Sequence, residues 1–246
     1  MKNNLLERYK NGEERVVWSE IIASKSDIPE DTIELVLDEM MSRFLSNLQL
    51  IKIALENFGY VFTGFDYGQP VGVKYGIPFL EVQEKSKSRI NEVISEFEEH
   101  GKFPLVFLKF IEFIHNIDFI GYFPSWKNPA LLLDSSLFFP IDLIIPLNSN
   151  DIHQDNMGQN VIIFSFDEFT KENISGGVGY GIYLTEKQHI DSTVAFYGKT
   201  PLSFVEYLRL TLKWIGFPNL ELAKEGEIPE NILEFILETR SKLASI

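Results

Sequence analysis

The chain has 246 residues, of which 45% are hydrophobic and 13% aromatic, enough to bury a sizeable core, so disorder of the whole chain is not expected. Its 22 Lys and Arg residues against 36 Asp and Glu residues give a net charge of −14, which disfavours direct binding to nucleic acid or to an anionic membrane. The absence of cysteine excludes disulfides, thiolate nucleophiles and Cys-ligated zinc.

The sequence shows neither the pattern of a signal peptide nor that of a membrane span. Charged residues interrupt the stretch MKNNLLERYKNGEERVVW before the apolar core of a signal peptide can form. No apolar run reaches the roughly 18 residues of a membrane span. We therefore expect a cytoplasmic protein without a membrane segment.

The first 62 residues predict an N-terminal helical region. A short helix ends near Gly12, and a second helix carries Val16, Val17, Ile21 and Ile22. Asp27 and Glu30 have the spacing of a capping box, which predicts the start of a third helix, and Gly59 predicts its end. The third helix is indicated by apolar residues at helical spacing: Ile33, Val36, Met40, Phe44, Leu48, Ile51 and Leu55.

A connector rich in glycine and proline follows between Tyr60 and Pro78 and predicts a domain boundary. Residues 1–62 then form the helical region, residues 75–222 an α+β domain, and residues 223–246 a C-terminal amphipathic helix. Within the middle part, the pattern predicts an amphipathic helix over Ser86–Glu99. It also predicts a largely buried helix over Pro104–Ile117.

After Ile117 the sequence predicts short strands. Their close spacing favours antiparallel hairpins, and the apolar runs are DFIGYF, ALLL, FFPIDLII, NVIIFSF, YGIYL and TVAFY. A closing helix is predicted with Thr200 as its N-cap, Pro201 at its first position and Gly216 at its end. The last helix has Ile228, Ile232, Ile236 and Leu243 in line. The fold class expected is α+β, an antiparallel sheet flanked by helices with an added N-terminal helical region.

Two segments invite a ligand-binding interpretation. The glycine-rich run Gly176–Gly181 is followed by a strand-like YGIYL and lacks the lysine of a phosphate loop, so a tight turn or bulge is favoured. We assign Asn173, Ser175, Gly176 and Gly177 to this structural loop. Asp151, His153 and Asp155 alternate as metal ligands do on an extended segment, but they lack the calcium-loop pattern, so a solvated loop is favoured over a metal site.

No catalytic motif is apparent. None of the four histidines lies in a nucleophile-elbow or metalloprotease setting. We therefore expect no enzyme and no cofactor. The alternative that stays open is an enzyme or small-ligand binder using Gly176–Gly181 and the Asp151/His153/Asp155 segment, since a carboxylate pair brought together by folding leaves no signature.

Three aromatic residues next to prolines at element ends are the candidate anchors for a protein partner. They are Tyr122 and Trp126 in GYFPSW and Trp214 in KWIGFP. Core or rim packing is the commoner role of such residues. When exposed, however, they have the chemistry of interface hot spots.

The helices SRINEVISEFEEHGKFP and LVFLKFIEFIHNIDFIG, the strands after them and the helix TPLSFVEYLRLTLKW follow one another between about Tyr75 and Phe217. This order resembles the SUKH superfamily, which contains fungal cell-wall-synthesis regulators and many bacterial immunity proteins. The phrases NISGG and F-x-x-YLRL-x-x-x-W-x-GFP also resemble uncharacterised bacterial proteins. The resemblance implies a non-enzymatic protein-binding module of the immunity type, and net charge −14 suits a basic toxin as its partner.

Overall fold

The computed structural model describes most of the chain. The described residues are 4–24, 27–62, 65–66, 69–70, 79–81, 88, 91–92, 94–95, 97, 99–126, 137–138, 152–165, 179–195 and 201–246. Half of the residues of the predicted helix over Ser86–Glu99 are described, and residues 88, 91–92, 94–95 and 97 among them are helical, in addition to the helices given below. The predicted strand ALLL lies wholly outside the described residues.

Six α-helices are present among the described residues, and a 3₁₀ helix spans Pro218–Leu222. They are α1 (Asn4–Lys10), α2 (Glu14–Ala23), α3 (Glu30–Phe58), α4 (Leu105–Phe113), α5 (Phe204–Lys213) and α6 (Glu230–Arg240). None of these helices is long and apolar enough to cross a membrane. The predicted ends of the first and third helices are confirmed, because Gly12 and Gly59 have φ of 97° and 90°, the left-handed conformation that glycine accepts.

The strands form antiparallel sheets, which confirms the α+β fold class. One sheet of the described part has the order β4-β5-β7, a second β11-β10-β9-β8, and two strand pairs are β1-β6 and β2-β3. The strands are β1 (Val61–Phe62), β2 (Phe65–Asp66), β3 (Gln69–Pro70), β4 (Phe79–Glu81), β5 (Ile114–Asp118), β6 (Gly121–Tyr122), β7 (Leu137–Phe138), β8 (His153–Gln154), β9 (Asn160–Ser165), β10 (Tyr180–Tyr183) and β11 (Val194–Ala195).

Three predicted boundaries are wrong: the end of α4, the start of α3 and the start of α5. The helix expected to run to Ile117 ends at Phe113, because Ile114–Asp118 is the central strand of a three-stranded sheet and pairs with β4 and β7. The capping box of Asp27 and Glu30 does not form, since Glu30 is already the first helical residue and Pro29 precedes it.

The closing helix begins later than predicted. Its N-cap is Ser203 rather than Thr200, and the Ser203 hydroxyl accepts a hydrogen bond from the Glu206 amide at 3.3 Å. A serine followed three residues later by glutamate satisfies a free amide of the first turn, which fixes the start of α5 there. The end of α5 near Gly216 is confirmed. The Gly216 amide donates to the Thr211 carbonyl, and Gly216 has a positive φ of 98°.

Helices and sheets share one apolar core. Phe110 of α4 joins α3 to α5, with ring centroids 6.1 Å from Phe44 and 5.3 Å from Phe204. At the C-terminal end of α3, the ring of Phe58 stacks on the ring of Phe235 of α6, with centroids 4.0 Å apart. Buried residues of all three predicted parts of the chain therefore belong to a single cluster.

Candidate functional site

The predicted aromatic anchors lie in different environments. Trp126 is buried, with 8% of its surface exposed, and packs near Phe123 within the aromatic core. It is therefore a core residue and cannot serve as an exposed anchor. Tyr122 in β6 and Trp214 at the end of α5 are half-buried, which leaves part of each ring accessible.

The glycine-rich segment lies partly within the described residues. Asn173, Ser175, Gly176 and Gly177 are outside them. At Gly181, however, a Cβ atom would collide with the Val161 side chain, and the strand register shifts between Tyr180 and Gly181. The described end of the run thus lets β10 approach β9 closely, as expected of a bulge.

The proposed metal-competent segment has other partners. Asp151 is outside the described residues, and His153 is exposed on β8. Asp155 Oδ1 accepts the amides of Met157 and Gln159 at 2.8 and 2.9 Å, and the Gln159 hydrogen bond is the main cause that lowers the pKa of Asp155. Asp155 therefore organises a turn. Across the part of the chain that the structure describes, no three His, Asp or Glu residues are grouped as metal ligands.

A cleft with a volume of about 640 Å³ lies between the start of α2, helix α5, the 3₁₀ helix and residues 243–246, and we call it the α5 cleft. Aliphatic side chains form part of its walls, among them Val16, Leu210, Leu212 and Leu243. Its cations are Arg15, Arg209, Lys213 and Arg240, and its carboxylates are Glu13, Glu14, Glu206 and Glu221.

One wall of the α5 cleft is a segment held through its backbone. Asn47 Nδ2 donates to the Ala244 carbonyl at 2.7 Å, and the Ala244 amide donates to Asn47 Oδ1 at 2.9 Å. Arg43 Nη1 donates to the Ser245 carbonyl at 3.2 Å. Arg209 Nε donates to the Ile246 carbonyl at 2.8 Å. Because each of these hydrogen bonds uses main-chain groups, this backbone clamp fixes the path of residues 244–246.

Arg43 is itself held rigidly. Its Nε and Nη1 donate to Glu39 and Glu14, both at 2.8 Å, and its guanidinium lies 5.2 Å from the centre of the Tyr9 ring. Burial lowers the pKa of Arg43, but the hydrogen bonds with Glu39 and Glu14 outweigh it and raise the pKa overall. The guanidinium is thus a fixed, charged donor.

Trp214 does not itself line the α5 cleft, but it follows the lining residue Lys213 and is hydrogen-bonded to the lining residue Glu221. Its indole Nε1 donates to Glu221 Oε2 at 2.6 Å, and Lys213 Nζ donates to the same oxygen at 2.6 Å. Burial raises the pKa of Glu221, but these two hydrogen bonds outweigh it and lower the pKa overall. Leu222, which follows the lining residue Glu221, is 58% exposed. We call Trp214 and Leu222, which each adjoin a lining residue in sequence, the rim of the cleft.

A second cleft, with a volume of about 790 Å³, contains His100 and His189. His189 is exposed, and His100 Nε2 lies 3.1 Å from the carboxylate of the neighbouring residue Glu99. Its walls are largely turns with exposed side chains. The α5 cleft is the better candidate site, because four hydrogen bonds between side chains and the backbone hold its wall in place.

Trp214 stays a predicted anchor, and sequence reasoning missed the backbone clamp. Arg43 and Asn47 are four residues apart on the helix face that also carries Phe44 and Leu48. Two polar side chains at this spacing within an apolar stripe were the available signal. Their partner segment lies 197 residues further along the chain from Asn47, so the contact itself has no local pattern.

Comparison of the chain with protein-family models, with curated proteins and with solved structures finds no match in any of the three. The resemblance to the SUKH superfamily therefore stays a prediction.

Proposed function

We propose that the protein is a binding module for another protein and takes an extended segment of that partner into the α5 cleft. The observation that carries the proposal is the backbone clamp. Helices α3 and α5 already hold residues 244–246 through Asn47, Arg43 and Arg209. A wall of fixed, non-helical main chain beside aliphatic side chains suits a second extended segment.

The rim of the cleft supports the same proposal. Aromatic side chains supply much of the binding energy at protein interfaces, and Trp214 is half-buried and oriented by its hydrogen bond to Glu221. Because its indole is already fixed, little conformational entropy is lost when a partner packs on it. Leu222 extends this apolar rim.

An immunity-type role is the specific form of the proposal that the SUKH resemblance implies. In this form the partner is a toxin with a basic surface, to which a protein of net charge −14 is attracted. The cleft then receives a segment of the toxin, while the surrounding acidic surface guides the approach.

The proposal is tested by photo-crosslinking with a benzophenone amino acid placed either at Leu222 or at Met157. Both positions are exposed and apolar, at 58% and 87% exposure, but Met157 lies in the turn after β8. In cells that naturally express the gene, the probe at residue 222 should yield one discrete protein adduct, which Trp214→Ala reduces. Equal adducts from both positions, or none from residue 222, would contradict the proposal.

A further inference from the structure

The charges of the α5 cleft differ from those of the whole protein. Glu13 and Glu14 are paired with Arg8 and Arg43, two cations that do not line the cleft. Arg8 and Arg43 are each also shared with a second carboxylate, that of Glu20 and that of Glu39. With Glu206 and Glu221 as the remaining two, four carboxylates line the cleft beside four cations. In a chain of net charge −14, the cleft is therefore a region where positive and negative side chains are equal in number.

Each remaining carboxylate is shared by two cations. Glu206 pairs with Arg209 and lies 3.7 Å from Arg15. Glu221 Oε2 lies 2.6 Å from Lys213 Nζ, and Arg240 also interacts with it electrostatically. A carboxylate shared in this way cannot neutralise both neighbours, so hydrogen-bonding capacity remains on the cations.

Arg209 gives an independent indication of unmet capacity. Its side chain is only 8% exposed, although it carries a full charge. Its Nη1 and Nε are occupied by Glu206 and the Ile246 carbonyl, whereas its Nη2 has no hydrogen-bond partner among the described residues. Buried N–H groups of charged side chains are normally paired, and Arg209 is one of the residues that line the cleft.

We infer that the α5 cleft recognises a carboxylate, so that the segment it binds carries an aspartate or glutamate side chain. This inference rests on the proposed function. The exposed Arg15 and Arg240 make the first contact, and Arg209 provides the fixed donor behind them. The inference concerns the inserted segment alone and leaves the rest of the partner free to be basic.

The net charge of the protein does not oppose this local preference at physiological salt. Exposed charges more than about 8 Å away are largely screened at 0.15 M ionic strength. The four cations line the same cleft, so a carboxylate bound there lies within this distance of them. Short, charge-assisted hydrogen bonds therefore determine which segment is held.

The test selects binders from a displayed library of random octapeptides against the purified full chain. Enriched peptides should share an aspartate or glutamate at one aligned position. A synthetic peptide with that residue changed to its amide should bind roughly tenfold or more weakly, since a hydrogen bond to a charged group is lost.

Variants of the protein locate the effect. Arg240→Gln should weaken the acidic peptide and leave its amide counterpart unchanged, whereas Glu221→Gln should tighten the acidic peptide because it frees Lys213 and Arg240. Lys52→Gln is the matched control, since Lys52 pairs with Glu56 on α3 outside the cleft, and it should change neither affinity.

The outcomes separate the two proposals. Peptides whose binding is lost in Trp214→Ala but which show no acidic preference would overturn the carboxylate inference and leave the proposed function standing. Failure to enrich any peptide that depends on Trp214 would overturn both. If neither Arg240→Gln nor Glu221→Gln changed the affinity for the acidic peptide, its carboxylate would bind outside the α5 cleft and the inference would be overturned.

Discussion

At the scale of single residues, Asn47 holds the wall of the α5 cleft. It is 1% exposed, and its amide exchanges two hydrogen bonds with Ala244. Asn47→Ala removes both hydrogen bonds, and because Ala244 is exposed, water can replace the lost partner, so each bond contributes about 0.5–1.5 kcal/mol net. We expect the free energy of unfolding, measured by chemical denaturation, to fall by about 1–3 kcal/mol.

Asn57 provides the control for this prediction. It lies on the same helix but is exposed, so Asn57→Ala should change the free energy of unfolding by less than about 0.5 kcal/mol. If both variants lost equally little stability, the segment 244–246 would not be held by Asn47. The backbone clamp would then lose its support.

At the scale of elements, the start of α5 is held by two side chains. Ser203 caps it from within, while Asp191 accepts the Phe204 amide at 3.1 Å and the Val205 amide at 3.4 Å from an adjoining loop. Burial raises the pKa of Asp191, although the hydrogen bonds from Ser203 and the backbone amides oppose this. Ionisation of Asp191 is thus less favourable in the folded protein than in the unfolded chain.

The raised pKa of Asp191 predicts a pH dependence of stability. The ordinary pKa of an aspartate is 3.8, and burial raises that of Asp191, so the folded state binds the carboxyl proton more tightly than the unfolded state does. Stability from this group is therefore full below the unfolded pKa and is lost as the pH rises through the folded pKa. Relative to Asp191→Asn, the native protein should gain stability as the pH is lowered from 7 to 4, measured by denaturation at each pH. If the native protein instead lost stability relative to Asp191→Asn as the pH is lowered, the hydrogen bonds at the start of α5 would outweigh the effect of burial.

The same elements show what the sequence can predict. Gly12 and Gly59 end helices for a local reason, the positive φ that the chain adopts there, and both ends were predicted. The change from helix to strand at Ile114 was not predicted. Phe113 and Ile114 are both apolar, and apolar residues at these positions fit a buried helix as well as a buried strand. The strand is stabilised by pairing with β4 and β7, which lie elsewhere in the sequence.

The candidate site divides in the same way. Trp214 was predicted as an aromatic residue close to a proline at the end of an element, which is a local pattern. The environment of Trp126 depends on the aromatic core around Phe123, and the contact of Asn47 with Ala244 joins distant parts of the chain. A single sequence carries no record of such pairings, so an anchor could be predicted from it and the wall of the cleft could not.

At the scale of the whole molecule, net charge −14 predicts how a partner associates. If the partner is basic, the association rate should fall as ionic strength rises from 0.01 to 0.15 M, because the Debye length shrinks from about 30 Å to about 8 Å. Trp214→Ala should instead act mainly by raising the dissociation rate, since short-range packing determines how long a complex lasts. Stopped-flow measurement with the partner crosslinked through residue 222 separates the two rates. An association rate that increases with salt would identify an acidic partner surface and contradict the immunity-type form, while leaving binding in the α5 cleft intact.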